Sequence, residues 1–356
     1  MTYGKVGIAM SGGVDSSVTA SILKRKGVKV HGFFMHLPLP GIEKHIERVK
    51  AVAKKLDIPL EVVNLQEYFS QKVVGYFIDT YIQGLTPNPC IICNKHVKFG
   101  YLLRSMLDRG MDKMATGHYA RLGAGRHNTP LLKKGIDPKK DQSYFLCRLT
   151  SDQLKKMTLP LGNLTKQEVY NLAAEMGIGG IHSPESQDIC FLAGETVASF
   201  FEKQGIMNMP GDVVTTGGRI IGQHQGLWRY TIGQRRGLGL PDITPWYVYR
   251  LDADNNRVVV CKNEMLSTQM VVVRDMLWTR DEPSYPFRIF VQIRGSHQPS
   301  AASISRESDS LWTVTFDKPQ RAVTPGQFAV LYDEEDIVAG SGVIDEHIVQ
   351  NEEREP

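Results

Sequence analysis

The sequence of 356 residues has no run approaching the ~20 consecutive apolar residues that a membrane-crossing helix needs, so no membrane partner is expected. It has no internal repeat and no low-complexity tract, so neither a repeat architecture nor a biased linker is expected. No sign of charge dominates. The net charge is only +4, so local clusters must carry any nucleic-acid reading. Cysteine is scarce: five, an odd number, which argues against a disulfide framework. The single C-x-x-C has no second close pair beside it, which argues against a four-ligand structural zinc. Little chain precedes the first apolar run, leaving no room for a signal peptide, so the cytoplasm is the expected location. What remains is an ordinary globular composition, long enough for two or three domains.

The chain is organised around Ser11-Gly12-Gly13-Val14-Asp15-Ser16-Ser17. Residues 6–10 before it read as a buried strand. After it, Val14, Val18 and Ile22 recur at helical spacing until Gly27. In this strand, glycine turn and helix, two adjacent glycines let the backbone turn tightly and approach a ligand. The hydroxyls and N–H groups at the helix start favour an anion. There is no Gly-Lys-Ser/Thr ending, so this is not a Walker loop. The pattern resembles the pyrophosphate-binding loop of the PP-loop enzymes, which split ATP between its α- and β-phosphates and adenylate a substrate. The plain alternative is an ordinary strand-to-helix turn.

Residues 28–35 read as a second strand, residues 42–56 as an amphipathic helix and residues 59–63 as a third strand. This alternation predicts a doubly wound parallel sheet with its ligand at the carboxyl ends of the strands. Met35 ends a strand there and suggests an adenine pocket. Residues 64–83 read as helical. Pro87 and Pro89 are then expected to prevent regular structure in a loop carrying Cys90 and Cys93, before a helix with Val97, Phe99, Leu102 and Met106. The C-x-x-C spacing suits zinc, a redox pair or an iron–sulfur site. Cys147 and Cys261 lie in apolar runs and read as packing residues.

A strand from Asp112 ends in a glycine turn that places Gly117 and His118 at the same edge; His118 is either functional or an ordinary hydrogen-bonded residue. Lys133, Lys134, Lys139 and Lys140 make the clearest basic cluster, in a turn-rich segment that is either solvated or placed to hold phosphates. Residues 151–176 read as helices, with Thr165 to Glu168 as a capping box. Residues 182–192 form the third chemically loaded stretch, and only folding could bring its Cys190 to Cys93.

From about residue 206 short alternating runs replace helical periodicity, at 211–214, 257–260, 270–273, 287–294, 311–316 and 327–332. They predict small β modules including a barrel, with a boundary near 268. Residues 226–240 mix arginines with aromatics, which suits nucleic-acid contact or a surface β-hairpin with solvated arginines. The expected architecture is an α/β N-terminal domain over 1–205, a small central β-rich domain over 206–268, a C-terminal β-barrel over 269–350 and a frayed tail over 351–356.

Several stretches occur in a fixed order: Ser-Gly-Gly-Val-Asp-Ser-Ser at 11–17, Thr-Pro-Asn-Pro-x-x-x-Cys-Asn at 86–94 and Thr-Gly-His-Tyr-Ala-Arg at 116–121. They are followed by Lys-Asp-Gln-Ser-Tyr-Phe-Leu at 140–146, Ser-Gln-Asp-Ile-Cys-Phe at 186–191 and Tyr-Thr-Ile-Gly-Gln-Arg-Arg-Gly-Leu-Gly at 230–239. Together, over nearly the whole chain, they closely resemble the tRNA-specific 2-thiouridylases, which adenylate the 2-oxygen of a wobble uridine and replace it with sulfur. The resemblance implies that Ala9, Met10, Ser11, Gly12, Gly13, Val14, Asp15, Ser16, Met35 and Gly117 bind ATP with Mg²⁺. It implies Asn88 and Pro89 beside the target base, with Cys90. It places His118, Lys140, Asp141 and Gln142, and in the barrel Arg294, Gly295 and Gln327, against tRNA. Cys93 matches the nucleophile and Cys190 the persulfide carrier, which an upstream sulfur donor would load.

Two departures stand out. Cys90 replaces the aspartate of the common family pattern, and the segment after Met35 is short. Cys90, Cys93 and Cys190 then resemble the C-x-x-C plus distant Cys arrangement of iron–sulfur-dependent tRNA thiolases. A four-iron cluster on these three, with an open iron for hydrosulfide, is the favoured expectation. A Cys190 persulfide with Cys93 as nucleophile is the alternative. A non-catalytic tRNA- or iron–sulfur-binding regulator is a rival of another class, against which the intact glycine loop argues. A PP-loop amide ligase leaves the three cysteines unexplained.

Overall fold

The computed structural model describes residues 4–178 and 189–345. Ser186, Gln187 and Asp188 of the third stretch, and the tail over 351–356, lie outside the described residues. The chain divides into two compact units: Met1–Val74 with Pro89–Ala193 and Glu335–Val338, and Gly75–Asn88 with Gly194–Glu334 and Ala339–Pro356.

The first unit opens with β1 (Lys5–Ala9), α1 (Val14–Arg25), β2 (Lys29–His36), α2 (Ile42–Lys55) and β3 (Leu60–Asn64). It continues through β4 (Lys113–Ala115), β5 (Ala120–Ala124), β6 (Pro130–Lys134) and β7 (Met157–Thr158). A five-stranded parallel sheet runs in the order β3-β2-β1-β4-β7. Its apolar strand runs are buried, as strands covered on both faces must be. The apolar stripe of α2 (Ile42, Ile46, Val49, Val52, Ala53) packs with Ala20 and Leu23 of α1 and with Val6 and Ile8. On its other side α1 uses Val18 against Tyr119, Leu161, Val169 and Ala173. Gripped from two sides, α1 fixes the loop at its start.

Three local expectations are corrected. Pro87 and Pro89 do not keep the cysteines in a loop. Pro89 starts a helical turn, Pro89–Ile92, which continues as a π-helix over Cys93–Leu102 and an α-helix over Leu103–Asp108. Proline at the first helical position gives up an N–H that has no intrahelical partner anyway. Lys133 and Lys134, expected in a turn-rich segment, lie in β6, which pairs antiparallel with β5 in a hairpin over 120–134. Within 151–176, Met157–Thr158 is an edge strand, and the helices are Ser151–Lys155 and Lys166–Glu175, each with a capping box. The box at Thr165 and Glu168 is the one read from the sequence.

The second unit carries β8 (Gly211–Thr215), β9 (Ile220–His224), β10 (Tyr247–Asp252) and β11 (Arg257–Cys261), a four-stranded sheet in the order β10-β11-β8-β9. Next come β12 (Ser267–Trp278), β13 (Phe287–Gln292), β14 (Ser300–Arg306), β15 (Leu311–Arg321), β16 (Phe328–Tyr332) and β17 (Val338–Ile344), closed into a barrel. Alternate residues such as Val271 and Val273, or Ile289 and Val291, fill it, and closure removes exposed strand edges. Residues 226–240 are not a hairpin. A short 3₁₀ turn, Leu227–Arg229, leads into irregular chain whose Leu227, Tyr230, Ile232 and Leu238 join Val213, Val248 and Val258 in a core. The aromatics there are packing residues, while Arg235 and Arg236 remain exposed. No helix among the described residues is long and apolar enough to cross a membrane.

Candidate active site

The glycine loop lies at the carboxyl end of β1, where parallel sheets place ligands. Gly12 takes φ +74°, a left-handed conformation that favours glycine. Hydroxyls brace the turn: Ser16 Oγ and Ser11 Oγ lie 3.2 Å apart, and Ser17 Oγ donates to the Gly13 carbonyl at 2.8 Å. Gly13 then starts α1 from an extended conformation, leaving the helix N-terminus at the sheet edge. Ala9 ends β1, Met10 is buried, and half-buried Met35 stands near the carboxyl end of the neighbouring β2.

Gly117 closes against this turn. A Cβ there would lie 2.9 Å from the carbonyl carbon and the Cβ of Asp15, so only glycine lets the chain leaving β4 pass the start of α1. Asp15 is engaged from two directions. Lys166 Nζ donates to its carboxylate oxygens at 2.8 and 2.9 Å, and Tyr119 Oη donates to Oδ1 at 2.8 Å. Lys166 also lies over the rings of Tyr119 and Tyr170. Lys166 stands beside the Thr165 cap that the sequence marks, yet no motif marks Lys166 itself. Nothing local signals that a lysine 151 positions from Asp15 meets it.

Cys90, Cys93 and Cys190 interact electrostatically with one another. Cys90 and Cys190 reach solvent and Cys93 is half-buried, yet all three are crowded enough to disfavour a thiolate. Burial pushes the Cys93 thiol up to about 12, opposed by the Lys98 cation, with Cys190 and Cys90 adding to the rise. Burial also raises Cys90, against Lys98, and raises Cys190, to which Cys90 adds and against which Lys98 works. Lys98, the shared cation, was not singled out in the sequence. In the π-helix the bond pattern is i→i+5, which sets Lys98 about one turn beyond Cys93. All five cysteines are free.

The geometry does not support the four-iron cluster that the cysteine pattern suggests. No group of three or more His, Cys, Asp or Glu side chains able to hold a metal ion is present among the described residues. Asp15, committed to Lys166 and Tyr119, fits an indirect partner of Mg²⁺ better than a direct ligand.

His118 is buried, shares a 2.7 Å hydrogen bond with Thr116 Oγ1, and is held well below the usual imidazole range by burial and then by Lys98, hence neutral. Gln142 and Tyr119 exchange two bonds: Gln142 N donates to the Tyr119 carbonyl at 2.8 Å, and Tyr119 N to Gln142 Oε1 at 3.0 Å. Asp141 accepts from Gly135 N, Ser143 N and Ser143 Oγ, while burial raises its carboxyl. Its carboxylate braces the turn. Of the basic cluster, Lys133 and Lys134 lie in β6 and pair with Glu335 and Asp336, while half-buried Lys140 stands in the turn before Asp141.

In the second unit, Gln327 Nε2 donates to the carbonyls of Thr86 (3.1 Å) and Pro87 (2.9 Å), and Asn88 Nδ2 donates to Gln327 Oε1 (3.2 Å). Asn88 N also donates to Tyr76 Oη at 3.2 Å. Gly326 at φ +87° packs on the same strap; a Cβ there would meet the Thr86 carbonyl oxygen at 2.8 Å. Two residues expected against tRNA thus bond to each other, and Pro89 follows immediately. Arg294 Nη2 donates to the Ala322 carbonyl at 2.8 Å and to Thr324 Oγ1, and the Arg294 and Gly295 carbonyls accept from Gln292 Nε2.

Sheet, loop and helix define an α/β nucleotide-binding domain followed by β modules. Residues 4–194 match the family described as tRNA methyl transferase HUP domain, 199–262 its PRC-barrel domain, and 268–344 the aminomethyltransferase β-barrel domain. The chain belongs to the tRNA-specific 2-thiouridylase family. It is 45% identical over 343 residues to tRNA-specific 2-thiouridylase MnmA of Desulfotalea psychrophila, covering 95% of this chain and 98% of that one. It is 41% identical over 360 residues to that of Clostridioides difficile, covering 97% and 99%. Among solved structures, a 4-thiouridine synthetase–RNA complex with bound ATP is similar at 19% identity and TM-score 0.39, over 57% of this chain and 50% of that one, a likeness that carries no functional argument.

Proposed function

We propose that the protein is an ATP-dependent tRNA 2-thiouridylase acting on a wobble uridine. The observation that carries the reading is the electrostatic grouping of Cys93 with Cys90 and Cys190, in the unit that presents the glycine loop, within a chain of this family. Residues 1–205 form the catalytic domain, 206–268 the central module and 269–350 the tRNA-binding barrel. Ala9 to Ser16, Met35 and Gly117 hold ATP, whose phosphates carry Mg²⁺. Asn88, Pro89, His118, Lys140, Asp141, Gln142, Arg294, Gly295 and Gln327 frame the tRNA, several of them by bracing the segments that meet it.

The uridine 2-oxygen attacks the α-phosphorus, a P–O bond forms, and pyrophosphate leaves toward the helix start and glycine loop, which stabilise its charge. The adenylated oxygen is now a good leaving group. The terminal sulfur of a Cys190 persulfide, loaded by an upstream donor, attacks C2 and AMP departs. The Cys93 thiol then attacks the Cys190 sulfur, its proton passing to the departing 2-thiouridine, and a Cys93–Cys190 disulfide forms. An external dithiol returns two electrons for the next cycle. Delivery of hydrosulfide from a four-iron cluster on Cys90, Cys93 and Cys190 is the rival supply.

The test is nucleoside analysis of unmodified tRNA incubated with ATP, Mg²⁺ and a persulfide donor. 2-Thiouridine, AMP and pyrophosphate are the expected products. No thiolation with any sulfur source, with or without iron and sulfide reconstitution, would sink the enzyme reading. Thiolation only by protein carrying four irons, lost in C90A, would replace the persulfide route with the cluster.

A further inference from the structure

The glycine loop has a neighbour that no motif marks. Arg48 lies on α2, next to Val49, which is fully buried in the core shared with α1. A methyl group built on Gly12 would lie 3.4 Å from Arg48 Nε and from Val49 Cα, so the arginine is laid against the turn itself. Helical side chains lean toward the helix N-terminus. The N-terminus of α2 follows the carboxyl end of β2, so this lean is toward the edge where the loop stands.

The Nε of Arg48 is buried and has no hydrogen-bond partner. An unpaired buried donor is unfavourable and calls for a partner. Among the described residues no ion pair includes Arg48, and Asp15, in the first turn of α1, is paired with Lys166. Arg48 and Lys166 against Asp15 leave one positive charge in excess, at the N-terminus of α1, where a helix already favours an anion. Burial, and then the Arg48 cation, hold His45 below the usual imidazole range, so His45 adds no charge beside Arg48.

We infer that Arg48 is a polyphosphate-binding residue of this site, its guanidinium taking the β- and γ-phosphate oxygens of ATP, or pyrophosphate after cleavage, rather than the adenosine end. Guanidinium–phosphate bonds are charge-assisted and suited to paired oxygens. The inference rests on the ATP site proposed above.

Titration calorimetry of the full chain with ATP, pyrophosphate and AMP separates the two. In Arg48→Gln, ATP and pyrophosphate should bind about tenfold or more weakly, while AMP affinity and the tRNA Kd change less than about twofold. Arg48→Lys should recover part of the loss. It also serves as the probe if the glutamine variant fails to fold, since a point charge on a different stem should still weaken pyrophosphate more than AMP. Parent-like ATP and pyrophosphate affinities in these variants would reduce Arg48 to a packing residue, and equal losses for AMP would place it at the other end of the nucleotide. A parent protein that binds none of the three ligands would overturn the ATP site itself.

Discussion

Lys166 Nζ bridges both carboxylate oxygens of Asp15 at 2.8 and 2.9 Å, directly behind the start of α1. At the ATP site proposed above, the pair keeps this negative charge from repelling the phosphates. In Lys166→Met the carboxylate is uncovered, and the KM for ATP should rise about tenfold, equivalent to ~1.4 kcal/mol. Asp15→Asn in the same chain should restore part of it. ATP-dependent pyrophosphate release measures both.

Gly117→Ala inserts a methyl 2.9 Å from the backbone of Asp15. Either α1 or the chain after β4 must shift, so stability should fall by about 1–3 kcal/mol. ATP affinity should fall with it, because the displaced element carries the loop. Thermal melting with and without ATP reads both effects.

With the Cys93 thiol pushed up to about 12, little thiolate exists at neutral pH. Alkylation of Cys93 by iodoacetamide should therefore climb about tenfold per pH unit, with no plateau at the ordinary thiol range near ~8.5. Lys98→Met removes the opposing cation, and alkylation at a given pH should slow several-fold. The sign for stability follows: the protonated thiol favours the fold below its ordinary pKa, and this contribution is lost as pH rises toward 12. Mass-spectrometric labelling rates from pH 7 to 10 check the first two statements.

Gln327→Ala removes two bonds to the strap carbonyls and the partner of Asn88 Nδ2. If Gln327 acts by holding Asn88, the kcat for thiolation should fall about tenfold or more while the tRNA Kd stays within about twofold, and Gln327→Glu should be no better because it loses the donor. A rise in Kd at constant kcat would make Gln327 a direct tRNA contact instead.

The parallel sheet was legible because Val6–Met10 and residues 28–35 and 59–63 are apolar runs separated by helix-period stretches, a pattern few other folds produce. The start at Pro89 was misread because proline punishes a helix interior but suits its first position, and the residues alone do not say which applies. The β5–β6 hairpin escaped because it bridges Gly125 to Thr129 without a strong two-residue turn signal. In residues 226–240 the arginine and aromatic mix suited either nucleic-acid contact or a solvated hairpin; the hairpin is absent, because Trp228 stacks on Phe201 at 4.9 Å and the other apolar side chains face the core. At the candidate site, the glycine loop and the three cysteines were visible as local patterns. Lys166, Lys98 and Arg48 were not, since each matters through a neighbour far away in sequence or through a helix winding that composition does not encode.

The π-wound stretch Cys93–Leu102 sets a constraint on chain length rather than on residue type. Removing one residue from it would let the segment relax to α-helical winding and turn everything on one side by about 100° relative to the other. With the residue removed beyond Lys98, Cys93 and Lys98 would stand five α-helical residues apart, about 140° around the axis, and no longer share a face, although every side chain of the site were still present. Insertions and deletions between Cys93 and Leu102 should therefore be far less tolerated than substitutions there.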